Sequence, residues 1–592
     1  MNDRSDFLVD QKFIAKEFRS CIDYLCKSNL SIRLKEADKN QETKVHILEN
    51  SILVFLDYWY LLNLNFYIMR LPTYYLVVVI LFSISCEEKK TNITTAEAAK
   101  PNIIYILADD LGYGELGVFG QEKIETPHID ALAKQGMLFT QHYTSAPVCA
   151  PARYMFLTGK HSGNAYIRGN HEWRDRGNVW DYREMAKDAT LEGQYPMPKE
   201  TVTLAHRLQQ VGYTTGMVGK WGLGAPHTHS IPNEMGFDFF YGYNGQRQAH
   251  TYYPLHLYKN RNRIHLKNDT IAPHTSFSME LDSLDPKSYA KFTQPEYAPD
   301  LMFKEISAFV SGQNKNPFFL YWATPIPHVA IQAPQRWVDY YIEKFGDESP
   351  YLANKGNGYF PHRNPRAGYA AMISYLDENV GKLVQQLKDQ GIYENTLIVF
   401  TSDNGPTFAG GVDPDWFNSA GQFQEAYGKG KGFVYEGGIR VPSFFTWPAK
   451  IKPGSESDHS STHYDMLATF GEITGYDVPE ETDGISMLPT LLGQENQKNH
   501  EFLYWEFPEY GGQVAIRMGD WKVVRQHLKD KEKPTLELYN LATDPTETAN
   551  VAKQHPEILQ KAALIFKQEH TKSEFERFQI PLLEQGLLSE RD

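Results

Sequence analysis

Cysteine is scarce in this chain, with four residues in 592, at positions 21, 26, 86 and 149. If the chain is exported and cut before Cys86, only Cys86 and Cys149 remain, which excludes a disulfide framework. Excess positive charge is also missing. A formal net charge of -14 argues against a general nucleic-acid or polyanion surface, so an anionic substrate has to be met by a local basic pocket. There is no clean membrane-spanning run either. Residues 52 to 85 are strongly apolar, but Asp57, Asn63, Asn65, Arg70 and Pro72 break them up, and a single spanning helix is a poor reading. No internal repeat is present.

What is there suits a globular chain. A hydrophobic share of 41% in this length supports one large domain with a smaller companion. Met69-Arg70, the apolar Tyr74 to Ile84 and Ser85-Cys86-Glu87-Glu88-Lys89-Lys90 resemble a bacterial lipoprotein signal, with Ser83 departing from the usual aliphatic position. A signal belongs at the N-terminus, so residues 1–68 are expected to be an upstream extension absent from the natural product. Residues 69–86 are then the signal and 87–100 a polar tether. The expected product is exported to the periplasm or cell surface and touches the membrane only through a lipid on Cys86. The alternative is an internal signal anchor.

The most informative stretch is Val148-Cys149-Ala150-Pro151-Ala152-Arg153, continuing to Leu157-Thr158-Gly159. If a helix begins here, Cys149 and Arg153 share one face at its positive end, where they can address one small oxyanion. A buried structural cysteine is the plainer reading. A cysteine phosphatase is excluded, because it needs five residues between Cys and Arg with glycines among them. Here there are three and no glycine.

Four apolar runs of strand length end in polar residues. Asn102 to Ala108 runs into Asp109-Asp110, and Tyr213 to Val218 into Gly219-Lys220. Phe318 to Ala323 leads to His328 through two prolines, and Thr396 to Thr401 to Asp403-Asn404. Buried parallel strands read this way, and open α/β sheets bind ligands beyond strand carboxyl ends. Read singly, Asp109-Asp110 suits an ordinary loop and His328 a structural histidine. Helices are expected over His128 to Gln135, Val202 to Gln210, Met302 to Val310, Ala367 to Gln390 and Pro556 to Glu569. Residues 162–200, with Arg168, Asn170 and His171, read as an insertion over the site. The glycine-rich aromatic segment 237–258, with Gln246, Arg247, His250 and His256, reads as a substrate-facing loop. The expected fold is α/β, a large mixed sheet sandwiched by helices (101–498), with a smaller C-terminal α+β domain of antiparallel sheet plus helix (499–592).

The order of these landmarks and the C-x-P-x-R string resemble the type I sulfatases of the alkaline phosphatase superfamily, over residues 101 to about 550. That resemblance implies a sulfuric ester hydrolase whose Cys149 a maturation enzyme converts to formylglycine, the hydrated aldehyde being the nucleophile. It implies one calcium ion on Asp109, Asp110, Asp403 and Asn404, with residue 149 also facing the ion. Arg153 would stabilise the hydrate, Lys220 and Lys431 would hold sulfate oxygens, and His328 would stand near the leaving oxygen. Asp403 would be the base, and His328 or Lys431 the proton donor. His250 and Arg168 are further substrate-binding candidates.

One position departs. Relatives reading Gly-Lys-Trp-His-Leu-Gly use that histidine for a second proton transfer, and this chain has Gly222 there, with His250, His227 and His229 as replacements. The expected substrate is a sulfated carbohydrate or aryl sulfate. Two rival readings are a phosphonate or phosphate diester hydrolase of the same superfamily and an inactive, lipid-anchored glycan-binding protein.

Overall fold

The computed structural model describes residues 100–313, 316–354, 358–423, 428–530 and 533–586. The upstream extension, the signal and the tether up to residue 99 lie outside them. No helix among the described residues is long and apolar enough to cross a membrane.

The strands are β1 (Asn102–Asp109), β2 (Met137–Phe139), β3 (His142–Tyr143), β4 (Thr214–Lys220), β5 (Phe239–Tyr243), β6 (His256–Lys259), β7 (Asn262–His265), β8 (Phe318–Pro327), β9 (Thr396–Ser402), β10 (Ser443–Thr446), β11 (Ser455–Ser457), β12 (Ser461–Thr462), β13 (Leu503–Phe507), β14 (Gln513–Met518), β15 (Trp521–Arg525) and β16 (Glu537–Asn540). The main helices are α1 (Pro127–Ala133), α2 (Cys149–Thr158), α3 (Leu204–Gln210), α4 (Ala298–Ser311), α5 (Gln335–Phe345), α6 (Pro365–Asp389), α7 (Asp465–Thr474) and α8 (Pro556–Glu569).

Ten strands form the main sheet in the order β11-β2-β10-β9-β1-β8-β4-β5-β6-β7. The middle five, β9 to β5 in that order, are parallel, while β10 and β6 join their flanks antiparallel. The sheet is therefore mixed, with a parallel centre buried on both faces. Alternation along β1 shows why its sequence is apolar throughout. Ile104, Ile106 and Ala108 pack in one core with Ile129 of α1, Met302 of α4, Val338 of α5 and Met372 of α6. Ile103, Tyr105 and Leu107 face the other core, with Phe156 of α2, Leu208 of α3 and Phe470 of α7.

A second sheet, β13-β14-β15-β16, is wholly antiparallel. Tyr504, Val514 and Ile516 face Leu559, Ala562 and Phe566 of α8. Leu503, Trp505 and Ala515 face the opposite way, onto Tyr143, Val148 and Tyr464. The C-terminal sheet thus backs the residue immediately before Cys149, and the Trp505 indole N–H donates to the Thr144 carbonyl at 2.8 Å.

Segment 237–258 differs from its reading as a loop. It contains β5 and the start of β6, and only residues 244–255 connect them. Both strands lie towards the flank of the sheet, where β6 meets β5 antiparallel. Gly242 and the run of aromatics there hide the usual period.

Candidate active site

Strand order explains the cluster. Strands β9, β1, β8 and β4 are consecutive neighbours, so their carboxyl ends bring Asp403-Asn404, Asp109-Asp110, His328 and Lys220 side by side. Helix α2 begins at Cys149 beneath this edge and ends at Gly159, whose φ of +68° closes it in the left-handed region. Cys149, Arg153, Lys220, Asp109, Asp110, Asp403, Asn404 and His328 are all buried.

Arg153 Nη2 donates to Asp109 Oδ2 at 2.9 Å and to Asp403 Oδ2 at 2.7 Å. Lys220 Nζ reaches the same Asp109 oxygen at 2.6 Å. Lys431, from the loop after β9, donates to Asp110 Oδ1 at 2.5 Å and lies 3.5 Å from the Cys149 sulfur. Asn404 Nδ2 donates to Asp110 Oδ1 at 2.8 Å, and the Asp110 backbone N–H to Asp403 Oδ1 at 3.1 Å. His328 Nε2 stands 3.8 Å from Asp110 Oδ2, while its Nδ1 contacts the Val329 carbonyl oxygen at 2.5 Å.

This packing divides the ionisations. Burial acts to raise the Asp109 carboxyl, but Lys220 and Arg153 outweigh it and hold the group well below the usual range. Asp403 is pushed up to about 7 by burial and the neighbouring Asp109 charge. Burial, with Lys431 close by, takes His328 down to about 4. The Cys149 thiol is pushed up to about 12 by burial and by Asp109, so an unmodified thiol here is a poor nucleophile at neutral pH.

Three oxygens in the cluster are buried without a hydrogen-bond partner: Asp109 Oδ1, Asp110 Oδ2 and Asn404 Oδ1. Ligand atoms of Asp109, Asp110, Cys149 and His328 lie within 4.8 Å of one another. Unpaired buried oxygens on adjacent strand ends fit a hard cation, which prefers oxygen ligands, better than they fit zinc.

Of the substrate candidates, His250 is brought in. Its ring stacks on His328 with centroids 5.3 Å apart, and Tyr359 packs edge-on to both, 5.2 Å from His250 and 5.8 Å from His328. Tyr359 escapes sequence reasoning because it lies in a loop without periodicity. Arg168 is a correction. Its guanidinium is spent on Glu506 at 2.7 Å, the Ala165 and Gly163 carbonyls at 2.8 Å each, and Thr571 at 2.9 Å, which leaves it pinning the insertion to the C-terminal sheet. His227 and His229 line a separate cavity of about 470 Å³ with Asn244 and Tyr258.

Comparison with known proteins identifies the family. The family model described as Sulfatase matches residues 101–476, and one described as N-sulphoglucosamine sulphohydrolase, C-terminal, matches 427–572. An N-acetylgalactosamine-6-O-sulfatase of Bacteroides thetaiotaomicron is 28% identical over 82% of this chain and 96% of its own. Human arylsulfatase A is 30% identical over 78% and 87%. The crystal structure of Ps i-CgsB in complex with k-i-k-neocarrahexaose is 27% identical with a TM-score of 0.61, covering 81% of this chain and 94% of that one. The chain belongs to the sulfatase family, the type I sulfatases of the alkaline phosphatase superfamily, and is a sulfuric ester hydrolase.

Proposed function

We propose that this enzyme hydrolyses sulfate esters carried by carbohydrates, with residue 149 in its formylglycine form and a calcium ion held by Asp109, Asp110, Asp403 and Asn404. The observation that carries this reading is the convergence of Cys149, Arg153, Lys220 and Lys431 on the Asp109, Asp110 and Asp403 carboxylates, in a cluster that also keeps three buried oxygens without a partner. Relatives named as N-acetylgalactosamine-6-sulfatases support the substrate class. The hydrated aldehyde at 149 supplies an attacking oxygen that a thiol with its pKa near 12 does not. A calcium ion held by these four residues would supply positive charge to the sulfate.

The chain's own residues do the rest. Arg153 at the start of α2 fixes Asp109 and Asp403. Lys220 and Lys431 bring positive charge to the sulfate oxygens. Asp403, poised near neutrality, takes a proton, and Lys431, which Asp110 keeps charged against the cost of its burial, returns one to the leaving alcohol; His328, taken down to about 4, can share that role only where the bound sulfate raises it. Conversion of Cys149 requires a formylglycine-generating maturation enzyme as partner. A lipid on Cys86 would hold the exported protein at a membrane surface.

The test is expression with that maturation enzyme, followed by peptide mass measurement and assays of sulfate release. An aldehyde at 149 and release from sulfated saccharides are expected. Cys149→Ala should lose activity on the order of 10⁶-fold with its melting temperature retained. Full activity with an unmodified cysteine, or faster turnover of phosphonate esters than of sulfate esters, would sink the reading.

A further inference from the structure

Most of the catalytic cluster is buried, and the side chains around it that reach solvent mark its mouth. Lys431, Tyr359 and His250 are half-buried, and so is Arg247. Arg247 and His250 are the first and last residues of one 3₁₀ turn, Arg247–His250, in which side chains three positions apart eclipse each other. Arg247 therefore lies on the face of the turn that carries His250 onto His328. It is also near enough to the Tyr359 hydroxyl for the two to interact electrostatically, and Tyr359 in turn lies in the field of Lys431. These links run from Lys431, beside Cys149, out to Arg247.

Trp180 stands on the solvent side of Arg247 and is 42% exposed. The Arg247 guanidinium lies 4.5 Å from the centre of its ring and that of Arg174 5.3 Å, so one indole holds two cations at one patch of surface. Arg247 Nη2 also donates to the Trp180 carbonyl at 2.9 Å. Acidic side chains outnumber basic ones in this chain, 73 to 59, yet among the described residues neither arginine makes an ion pair. Burial lowers the Arg247 pKa even though Glu172 and Asp181 are near enough to favour its charge, and its Nε is buried with no partner. Two guanidiniums with donors to spare, gathered on one ring, suit an oxyanion that both can reach. Arg247 is one side chain further out than His328 and Lys431, which stand at the scissile sulfate, so the anion it meets is a second one. We propose that Arg174 and Arg247, held together by Trp180, form a subsite for a second oxyanion, a carboxylate or a further sulfate, on the saccharide beyond the ester being cut. This rests on the carbohydrate sulfate reading above and narrows it to polyanionic saccharides.

The experiment couples substrate and enzyme changes. Binding is measured by calorimetry on the Cys149→Ala chain, which holds a substrate without turning it over, and kcat/KM on the mature enzyme. The probes are three sulfated disaccharides, alike except that the ring next to the scissile sulfate carries a carboxylate, a second sulfate or neither. At least one charged probe should bind roughly 10-fold more tightly than the neutral one, with kcat/KM following, and added salt should shrink the gain. Whichever anion gains identifies the ligand as a carboxylate or a sulfate ester. Arg247→Met and, separately, Arg174→Met should bring charged and neutral probes to within about threefold of each other, as coupling between partners requires. Arg174 is exposed, so its replacement keeps the test decisive where Arg247→Met fails to fold. Equal binding of all three probes by the Cys149→Ala chain overturns the proposal, and so does a preference that survives both substitutions. Binding of the neutral probe without gain from either anion leaves the carbohydrate reading standing, whereas binding of none of the three strikes that reading and the subsite with it.

Discussion

Asp109, Asp110 and Asn404 each keep one buried oxygen without a partner, an arrangement that costs stability unless a cation answers it. Calcium binding to the folded state alone should raise stability by about 2.7 kcal/mol at a concentration one hundred times Kd. Exhaustive chelation is therefore expected to lower the melting temperature and the rate together. Added calcium should restore both better than zinc, whose preference is for nitrogen and sulfur ligands. Indifference of melting and rate to chelation, with metal loss verified, would remove the calcium assignment.

Lys220 depends on how closely the strands around it approach. Gly219 in β4 has φ +124°, and a Cβ there would come within 1.8 Å of the Ala323 carbonyl oxygen in β8. Gly219→Ala should thus push β4 off β8, with a loss of about 3 kcal/mol and a raised KM as Lys220 leaves Asp109. Gly212 provides a control, since its φ is +89° but no atom lies within 4 Å of its added Cβ. Gly212→Ala should cost less and leave KM in place, both read from denaturation midpoints and initial rates. Equal effects at the two positions would place the cost in backbone conformation and not in strand contact.

Across the whole molecule, the C-terminal sheet is part of the support for the site. One of its faces packs on Val148 and Tyr143, and Arg168 crosses to it through the buried pair with Glu506, 2.7 Å apart at 2% and 0% side-chain exposure. Removing one member of such a pair leaves an uncompensated buried charge, worth about 3–5 kcal/mol. Arg168→Met should accordingly lower the unfolding midpoint strongly while leaving the ratio of kcat/KM between saccharide substrates where it was. A changed substrate preference without loss of stability would return Arg168 to substrate binding.

The sequence by itself determined the buried strands, because β1, β8 and β9 carry continuous apolar runs that only a sheet covered on both faces needs. It also determined α8, from Pro556 at its start to Glu569, and the turn of helix joining Cys149 to Arg153, since these rest on local spacing. The residues at the strand ends were legible for the same reason. Tertiary structure alone decided what these groups meet. Arg153 joins Asp403 across 250 positions and Arg168 joins Glu506 across 338; no local pattern records such a partner. The segment at 237–258 turned out to hold strands, and Tyr359 joined His250 and His328, through packing of the sheet flank and a long loop. The two arginines gathered on Trp180 belong to the same order of fact. An ion pair left unmade is a property of the space around a side chain, and that space exists only once the chain has folded.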